Sequence, residues 1–189
     1  MVLAVLLAAG AGRRFAGATH KLRAPLDGRP VLAHAIDALV ASGLEAVVVT
    51  GAADVADLVP PDVALVANPG WASGQAASVQ VGIAQARRRG HDAVVVGLGD
   101  QPFVTADAWR AVARADAPMA VATYAGRRGH PVRLASEVWG LLPVEGEEVG
   151  RAVMRSRPEL VLEIPCDAGH ASADRTADID TLEDLRRWS

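Results

Sequence analysis

Unbroken apolar runs recur along the chain and are separated by segments of helical character. The runs lack the alternation of polar and apolar residues that marks a half-exposed strand, which is typical of strands buried on both faces of a sheet. The apolar runs predict strands at Val2–Ala8, Ala46–Thr50, Val63–Ala67, Ala93–Leu98 and Met119–Thr123. The segments between them predict helices at Pro30–Ser42, Ala52–Leu58, Gln75–Arg89 and Ala106–Ala115.

The pattern changes after residue 124. A turn at 126–129 is predicted to lead into an extended segment at Pro131–Leu134. Short helices are predicted near Ser136–Leu142 and Glu147–Ser156, a late strand at Leu160–Pro165 and a final helix at Leu182–Trp188. Alternation of strands and helices predicts a single α/β domain over residues 1–189, with a mostly parallel sheet between two helical layers. Ligands of such folds bind beyond the carboxyl ends of the strands, so we sought the site at Ala9–Gly17, Asn68–Ser78, Gly99–Phe103 and the loops after residue 124.

The composition narrows the class of protein. Of 189 residues, 51% are hydrophobic and 22% are charged, and the net charge is −3, as in a globular protein without a nucleic-acid-coating surface. No apolar run reaches the ~18 residues of a membrane span. Cys166 is the single cysteine, which excludes an intramolecular disulfide and favours a cytoplasmic location. Lys21 is the only lysine among 19 basic residues, which marks it as a candidate for a specific role.

The loop after the first strand has the composition of a phosphate-binding segment. Gly10 and Gly12 allow a ligand to approach the backbone closely, and Arg14 and Lys21 add positive charge. The loop is not a Walker A motif, and Phe15 replaces the third glycine of a dinucleotide fingerprint. We therefore expect it to bind a triphosphate. A solvent-exposed loop whose arginines aid solubility is the alternative.

Carboxylates follow two other predicted elements. Asp100 comes at the end of the fourth predicted strand. Asp178 and Asp180 are separated by one residue in an extended stretch just before the last helix. Mg²⁺ needs few protein ligands when phosphates share it, so Asp100 with one of the late carboxylates would suffice. The alternatives are structural: Asp100 caps its own turn, and the late segment belongs to a helix-capping box.

Two further segments are candidate substrate contacts. Ser78 lies early in the predicted helix that follows the glycine turn, although a serine on a helix surface is an equal alternative. Arg127, Arg128 and His130 lie in a short segment bounded by glycine and proline, where they could bind a phosphate. The two arginines could also be solvated side chains.

Taken together, the segments resemble the MobA-like nucleotidyltransferase family, and within it the branch of molybdenum cofactor cytidylyltransferases. The resemblance covers nearly the whole chain and is carried, in the family's order, by LAAGAGRRF, THKL, GQAASVQVGI, GDQPF, RRGHPV and DIDTLEDL. It implies a glycosyltransferase-A-like, Rossmann-like α/β/α fold. It also implies transfer of CMP from CTP to a phosphorylated pterin, the molybdenum cofactor, with Mg²⁺ or Mn²⁺ and release of pyrophosphate. A recipient molybdoenzyme is an implied transient partner, whereas nucleic acids and membranes are not.

The resemblance also assigns roles to individual residues. Asp100 matches the metal-binding aspartate, and Asp180, with Asp178 as the second candidate, matches the late carboxylate. Catalysis is assigned to Lys21, Arg14 and Asp100, and Ser78 and His130 fall in stretches that line the acceptor side. The residues assigned to nucleotide binding are Leu7, Ala8, Ala9, Gly10, Gly12, Arg14 and Lys21. Ala9 favours cytosine, because branches that use guanine nucleotides tend to have glycine there.

Two departures from the family pattern concern the acceptor more than the chemistry. Ala-Thr-His is additional between Phe15 and Lys21, and GEEVGR at 146–151 differs from the usual GD-x-G-[AS]-R. A sugar phosphate or phospholactate therefore stays open as the acceptor. Two other hypotheses also stay open: an NAD(P)H-dependent relative of the reductases that act on a nicotine-degradation pigment, and a non-catalytic nucleotide-binding chaperone for a molybdoenzyme.

Overall fold

A computed structural model describes residues 1–167 and 177–189 and has a seven-stranded sheet at its centre. Its strands are β1 (Val2–Ala8), β4 (Ala46–Thr50), β5 (Ala64–Ala67), β6 (Ala93–Leu98), β7 (Met119–Tyr124), β8 (Arg127–Ala135) and β9 (Val161–Pro165). A separate hairpin joins β2 (Pro25–Leu26) to β3 (Arg29–Pro30). The order across the sheet is β5-β4-β1-β6-β8-β7-β9, and only β8 pairs antiparallel to its neighbours. The predicted mostly parallel α/β fold is confirmed.

Helices cover both faces of this sheet. They are α1 (Val31–Ala41), α2 (Gln75–Arg88), α3 (Ala106–Ala113), α4 (Arg151–Ser156) and α5 (Leu182–Trp188). Short 3₁₀ turns lie at Lys21–Arg23, Ala56–Leu58, Trp71–Ser73, Ser136–Leu141 and Pro158–Leu160. Within residues 1–167 and 177–189, no helix combines the length and apolarity needed to cross a membrane.

The two faces of β1 feed two separate apolar cores, because side chains alternate along a strand. Leu3, Val5 and Leu7 pack with α2 and α4 on one face. Ala4 and Leu6 pack with α1 and α3 on the other face. A strand buried on both faces reads as an unbroken apolar run, which is why the sequence reveals it so clearly.

A third, smaller core ties the end of the chain to the first loop. Ile179 is fully buried and packs with Phe15 and Leu26, and Leu182 and Trp188 of α5 lie against the same cluster. The packing of α5 therefore brings the segment just before it, which carries both late aspartates, to the loop that follows β1.

The predicted helix at Ala52–Leu58 is wrong over most of its length, since only Ala56–Leu58 forms a helical turn. The backbone N–H of Ala52 donates to the carbonyl of Ala9 (3.0 Å), and the hydroxyl of Thr50 donates to the carbonyl of Ala53 (2.9 Å). These groups are thereby committed to contacts outside a helix. The last predicted short helix also begins later than expected, at Arg151.

The segment predicted to be a turn at 126–129 belongs largely to β8. The strand begins at Arg127 and pairs antiparallel with β7, with the reversal at Ala125 and Gly126. The pairing jumps from Val121–Val132 to Ala122–Gly129, so two residues of β8 bulge out of the ladder. One of these two residues is His130.

Candidate active site

Lys21 connects three distant parts of the chain. It opens the turn at Lys21–Arg23, and its side chain reaches the carboxyl edge of the sheet. Its ammonium Nζ lies 2.5 Å from Oδ2 of Asp100 and 2.8 Å from Oδ1 of Asp180. Lys21 is only 9% exposed, so it is a buried ion-pair partner and not a solvated loop lysine. The only lysine of the chain is thus a buried residue that pairs with two carboxylates.

Ile179 positions the two late aspartates. Its backbone N–H donates to the carbonyl of Asp100 (2.9 Å), and its side chain is fully buried. The flanking carboxylates have different partners. Oδ1 of Asp178 accepts from the amide of Gln101 (2.7 Å), while Oδ2 of Asp180 pairs with Arg14 at 2.6 Å. Asp180 therefore contacts two cations and Asp178 an uncharged amide.

The helix that follows is capped as the sequence predicts. The Thr181 hydroxyl accepts from the backbone N–H of Asp184 (3.1 Å), and the Asp184 carboxylate accepts from that of Thr181 (2.8 Å). This capping box accounts for Thr181 and Asp184 but leaves both earlier aspartates to the cavity.

Burial and neighbouring charges change the pKa values of Asp178 and Lys21. Burial, and then the neighbouring Asp100 carboxylate, raise the pKa of Asp178 above its ordinary value. Burial alone would lower the pKa of Lys21, but the carboxylates of Asp100 and Asp180 outweigh it and the pKa is raised. Lys21 is therefore a firmly held cation at neutral pH.

The first loop and the Lys21 cluster enclose a cavity of about 570 Å³ at the carboxyl ends of β1 and β6. Every residue that the resemblance assigns to nucleotide binding lines it. These are Leu7, Ala8, Ala9, Gly10, Gly12, Arg14 and Lys21. Asp100, Asp178 and Asp180 line the same cavity, so the structure brings together the three predicted metal-binding carboxylates and the predicted nucleotide residues.

Ser78 also lines this first cavity, although the resemblance assigns it to the acceptor side. It is buried, and its hydroxyl accepts a hydrogen bond from the Asn68 side-chain amide at 3.0 Å. The alternative of a serine on the helix surface is wrong.

Gly74, which precedes α2, has φ +109°, and a Cβ there would lie 2.6 Å from Gly146. This close approach brings the 146–151 segment against the helix start.

A second cavity of about 650 Å³ adjoins the first. Its apolar wall includes Val96, Val121 and Val132 from neighbouring strands, and its other lining residues include four more arginines, Arg127, Arg128, Arg151 and Arg155. Arg128 pairs with Glu163 and Arg155 with Glu148. Among the described residues, neither Arg127 nor Arg151 takes part in an ion pair. The cavity thus combines apolar surface with basic groups able to meet an anion.

His130 faces this second cavity from the bulge of β8. Its carbonyl accepts a hydrogen bond from the Tyr124 hydroxyl at 2.8 Å, which replaces a ladder partner. Burial lowers the pKa of the imidazole to about 4. The side chain is therefore neutral at pH 7, where it can accept or donate a hydrogen bond but adds no charge.

Five residues line both cavities: Arg14, Gln75, Leu98, Glu147 and Asp178. The two cavities therefore share part of their lining and lie side by side. Sequence reasoning did not single out Gln75, Gln101 or Glu147, although each lies inside a segment that it did quote. The available signal was position within GQAAS, GDQPF and GEEVGR, because polar residues in loops at the strand ends are candidates for ligand contact.

The carboxylates suit a divalent cation that is shared with phosphate. Among residues 1–167 and 177–189, no group of three or more His, Cys, Asp and Glu side chains has the arrangement of a complete metal site. Mg²⁺ does not need one, because it commonly takes one or two carboxylates and completes its shell with phosphate oxygens and water. Asp100 with Asp178 or Asp180 provides such a partial set beside the basic loop.

The fold and the two adjoining cavities define an open α/β protein with its candidate site at the carboxyl edge of the sheet. The sequence matches the MobA-like NTP transferase domain over residues 4–168, and the chain belongs to this family. A comparison with curated proteins gives no match.

Several solved structures have the same fold, and one of them is a nucleotidyl transferase. A nucleotidyl transferase from Methanothermobacter thermautotrophicus is 24% identical with a TM-score of 0.82, covering 99% of this chain and 95% of its own. Rv0371c from Mycobacterium tuberculosis is 27% identical with a TM-score of 0.80, covering 98% and 96%. A manganese complex of Rv0371c gives 25% identity and a TM-score of 0.78, covering 99% and 97%.

Proposed function

We propose that the protein transfers CMP from CTP to the phosphate of the molybdenum cofactor and releases pyrophosphate. One observation carries the proposal: the cavity lined by the glycine loop and Lys21 adjoins a second cavity with apolar walls and arginines. Family membership supports nucleotidyl transfer as the reaction class. The second cavity has the character that a flat, phosphorylated heterocycle requires, which favours the pterin among phosphorylated acceptors.

The choice of CTP rests on the wall of the first cavity. Ala8 and Ala9 line it and are almost fully buried. A methyl group at Ala9 leaves less room than glycine would, which favours a pyrimidine over a purine. The carbonyl of Ala9 is already bonded to the N–H of Ala52, so the backbone at this position is fixed.

The chemistry needs no nucleophile from the protein. A phosphate oxygen of the acceptor attacks the α-phosphorus of CTP, a new P–O bond forms, and the bond to the β-phosphate breaks to release pyrophosphate. The side chains of Lys21 and Arg14, which contact Asp100 and Asp180 in the free protein, can contact the phosphates instead. Their positive charge there stabilises the transition state. A divalent cation held by Asp100 and a late aspartate would supply further neutralisation of the phosphates.

The experiment that tests this proposal measures pyrophosphate release from each of the four NTPs with Mg²⁺ or Mn²⁺. Each mixture is run without acceptor and with molybdenum cofactor, a sugar phosphate or phospholactate. We expect release only with CTP and the cofactor, reduced by about 10² or more in Asp100→Asn. Release should be retained in His34→Ala, because His34 lies on α1 and lines neither cavity.

Other patterns would assign a different function. Tight nucleotide binding without pyrophosphate release would identify a binding protein or chaperone. Oxidation of NADPH with a pigment substrate, in the absence of any transfer, would identify a reductase. Release with another NTP or another acceptor would keep the reaction class and change the substrate.

A further inference from the structure

The imidazole of His20 closes the loop that follows β1. Its Nε2 lies 3.0 Å from the carbonyl oxygen of Gly10, at the start of the loop. Its Nδ1 accepts a hydrogen bond from the backbone N–H of Leu22 at 3.3 Å, in the turn where the loop ends. A single side chain thus joins the two ends of a segment that lines the first cavity.

These contacts require one particular form of the imidazole. Because Nδ1 accepts from an N–H group, it carries no proton, and Nε2 must carry the proton that it donates to Gly10. Burial lowers the pKa of His20, which keeps this neutral form at pH 7. Each ring nitrogen then has a backbone partner.

The middle of the loop packs onto the same side chain. Gly12 has φ +61°, and a Cβ at this position would lie 3.2 Å from His20 Nε2 and 3.2 Å from Cγ of Lys21. Gly12 therefore lies directly against both side chains. The histidine fixes the loop backbone relative to the residue whose ammonium meets Asp100.

We propose that His20 is a positioning residue, which holds the glycine loop and Lys21 in the arrangement that receives the nucleotide phosphates. His20 lies immediately before Lys21 in the chain, and no role is assigned to it above. The identity of the ligand rests on the proposed function, whereas the closure of the loop rests on the contacts of His20 alone.

Two variants separate its two contacts. His20→Ala removes both hydrogen bonds. His20→Asn keeps a side-chain acceptor for the Leu22 N–H, since asparagine caps helical turns well, but it is too short to reach Gly10. His34→Ala is the matched control, because His34 also bonds a backbone carbonyl, that of Leu26 at 3.0 Å, and lines neither cavity.

The first measurement is hydrogen exchange of the amides of residues 9–19 in the nucleotide-free protein. We expect both His20 variants to exchange about tenfold faster than the wild type, and His34→Ala to match it. The second measurement is the Kd of CTP and of GTP with Mg²⁺. We expect His20→Ala to raise the Kd about tenfold for the nucleotide that the wild type prefers, with a melting temperature no lower than that of His34→Ala.

Wild-type loop exchange in both His20 variants, or full affinity in His20→Ala, would overturn the inference. Full recovery of loop exchange by His20→Asn would overturn it as well, because the contact with Gly10 would then be dispensable. A wild-type protein that binds neither nucleotide would contradict the proposed function and the phosphate-receiving role. The exchange measurement, made without nucleotide, would still decide whether His20 closes the loop.

Discussion

The ammonium of Lys21 lies 2.5 Å from the carboxylate of Asp100, although 79 residues separate them in the chain. Asp180, 159 residues from Lys21, completes the contact from the other side. The opposite charges are held together at the junction of the basic loop and the end of β6. In the proposed reaction, the ammonium of Lys21 contacts these carboxylates before the nucleotide binds and contacts the nucleotide phosphates afterwards.

Replacing Lys21 tests this arrangement. Lys21→Ala should lower kcat by about 10²–10³, the loss typical of one transition-state donor. Lys21→Arg should recover only part of it, because the planar guanidinium does not fit the place of a compact ammonium. Turnover at saturating substrates is the measurement, and full activity in Lys21→Arg would contradict the account.

The Lys21→Ala variant should also be less stable than the wild type. Lys21 is buried between two carboxylates and differs in this from a solvated loop lysine, whose loss has little effect on stability. Losing it leaves like charges close together, so we expect Lys21→Ala to lose about 1–2 kcal/mol and ~2–8 °C in Tm. A melting curve at pH 7 without added metal checks this, and an unchanged Tm would show that the ion pairs contribute nothing.

Asp100→Asn keeps the shape of the side chain and removes its charge. The fold should persist, because Ile179 bonds to the backbone carbonyl of Asp100 and not to its side chain. Turnover should fall by about 10² or more, because Asp100 is both the partner of Lys21 and a candidate metal ligand and the substitution removes its charge. Circular dichroism provides the control for folding, and wild-type turnover at saturating Mg²⁺ would remove the catalytic role of Asp100.

The nucleotide preference should depend on Ala9. We expect the wild type to favour CTP over GTP by at least about tenfold in kcat/KM, equivalent to ~1.4 kcal/mol. Ala9→Gly should reduce this ratio, because it widens the cavity while preserving the backbone bond to Ala52. Competition between the two nucleotides measures the ratio directly. Equal use of CTP and GTP by the wild type would contradict the pyrimidine assignment.

Cys166 should react slowly with alkylating reagents. Burial, and then the nearby Asp167 carboxylate, raise the pKa of its thiol to about 11. At pH 8 little thiolate is present, so alkylation by iodoacetamide should be about 10²-fold slower than that of free cysteine. The rate should rise about tenfold for each pH unit up to about pH 10, and a half-maximal rate near pH 8.5 would contradict the raised pKa.

The sequence predicts the sheet well because its inner strands are buried on both faces. β1 and β6 have the predicted bounds. The failed helix at Ala52–Leu58 has a non-local cause, since Ala52 bonds to Ala9, and no pattern within the segment reveals that contact. The length of β8 depends likewise on pairing with β7.

The candidate site divides in the same way. The glycines, Lys21 and Asp100 stand out in the sequence by residue type and by position at strand ends. The distribution of partners does not, because Gln101 meets Asp178 and Arg14 meets Asp180 only after α5 has packed against the first loop. Residue types are local, whereas contacts between residues far apart in the chain are set by the fold.

The most direct test of nucleotidyl transfer follows the phosphates of CTP. CTP labelled at either the α- or the γ-phosphate is incubated with the protein, Mg²⁺ and molybdenum cofactor, and the products are separated. The account predicts that the α-label appears on the cofactor and the γ-label in pyrophosphate, in equal amounts. Transfer of the γ-label to the cofactor, or its release as inorganic phosphate with no α-label on the cofactor, would contradict it.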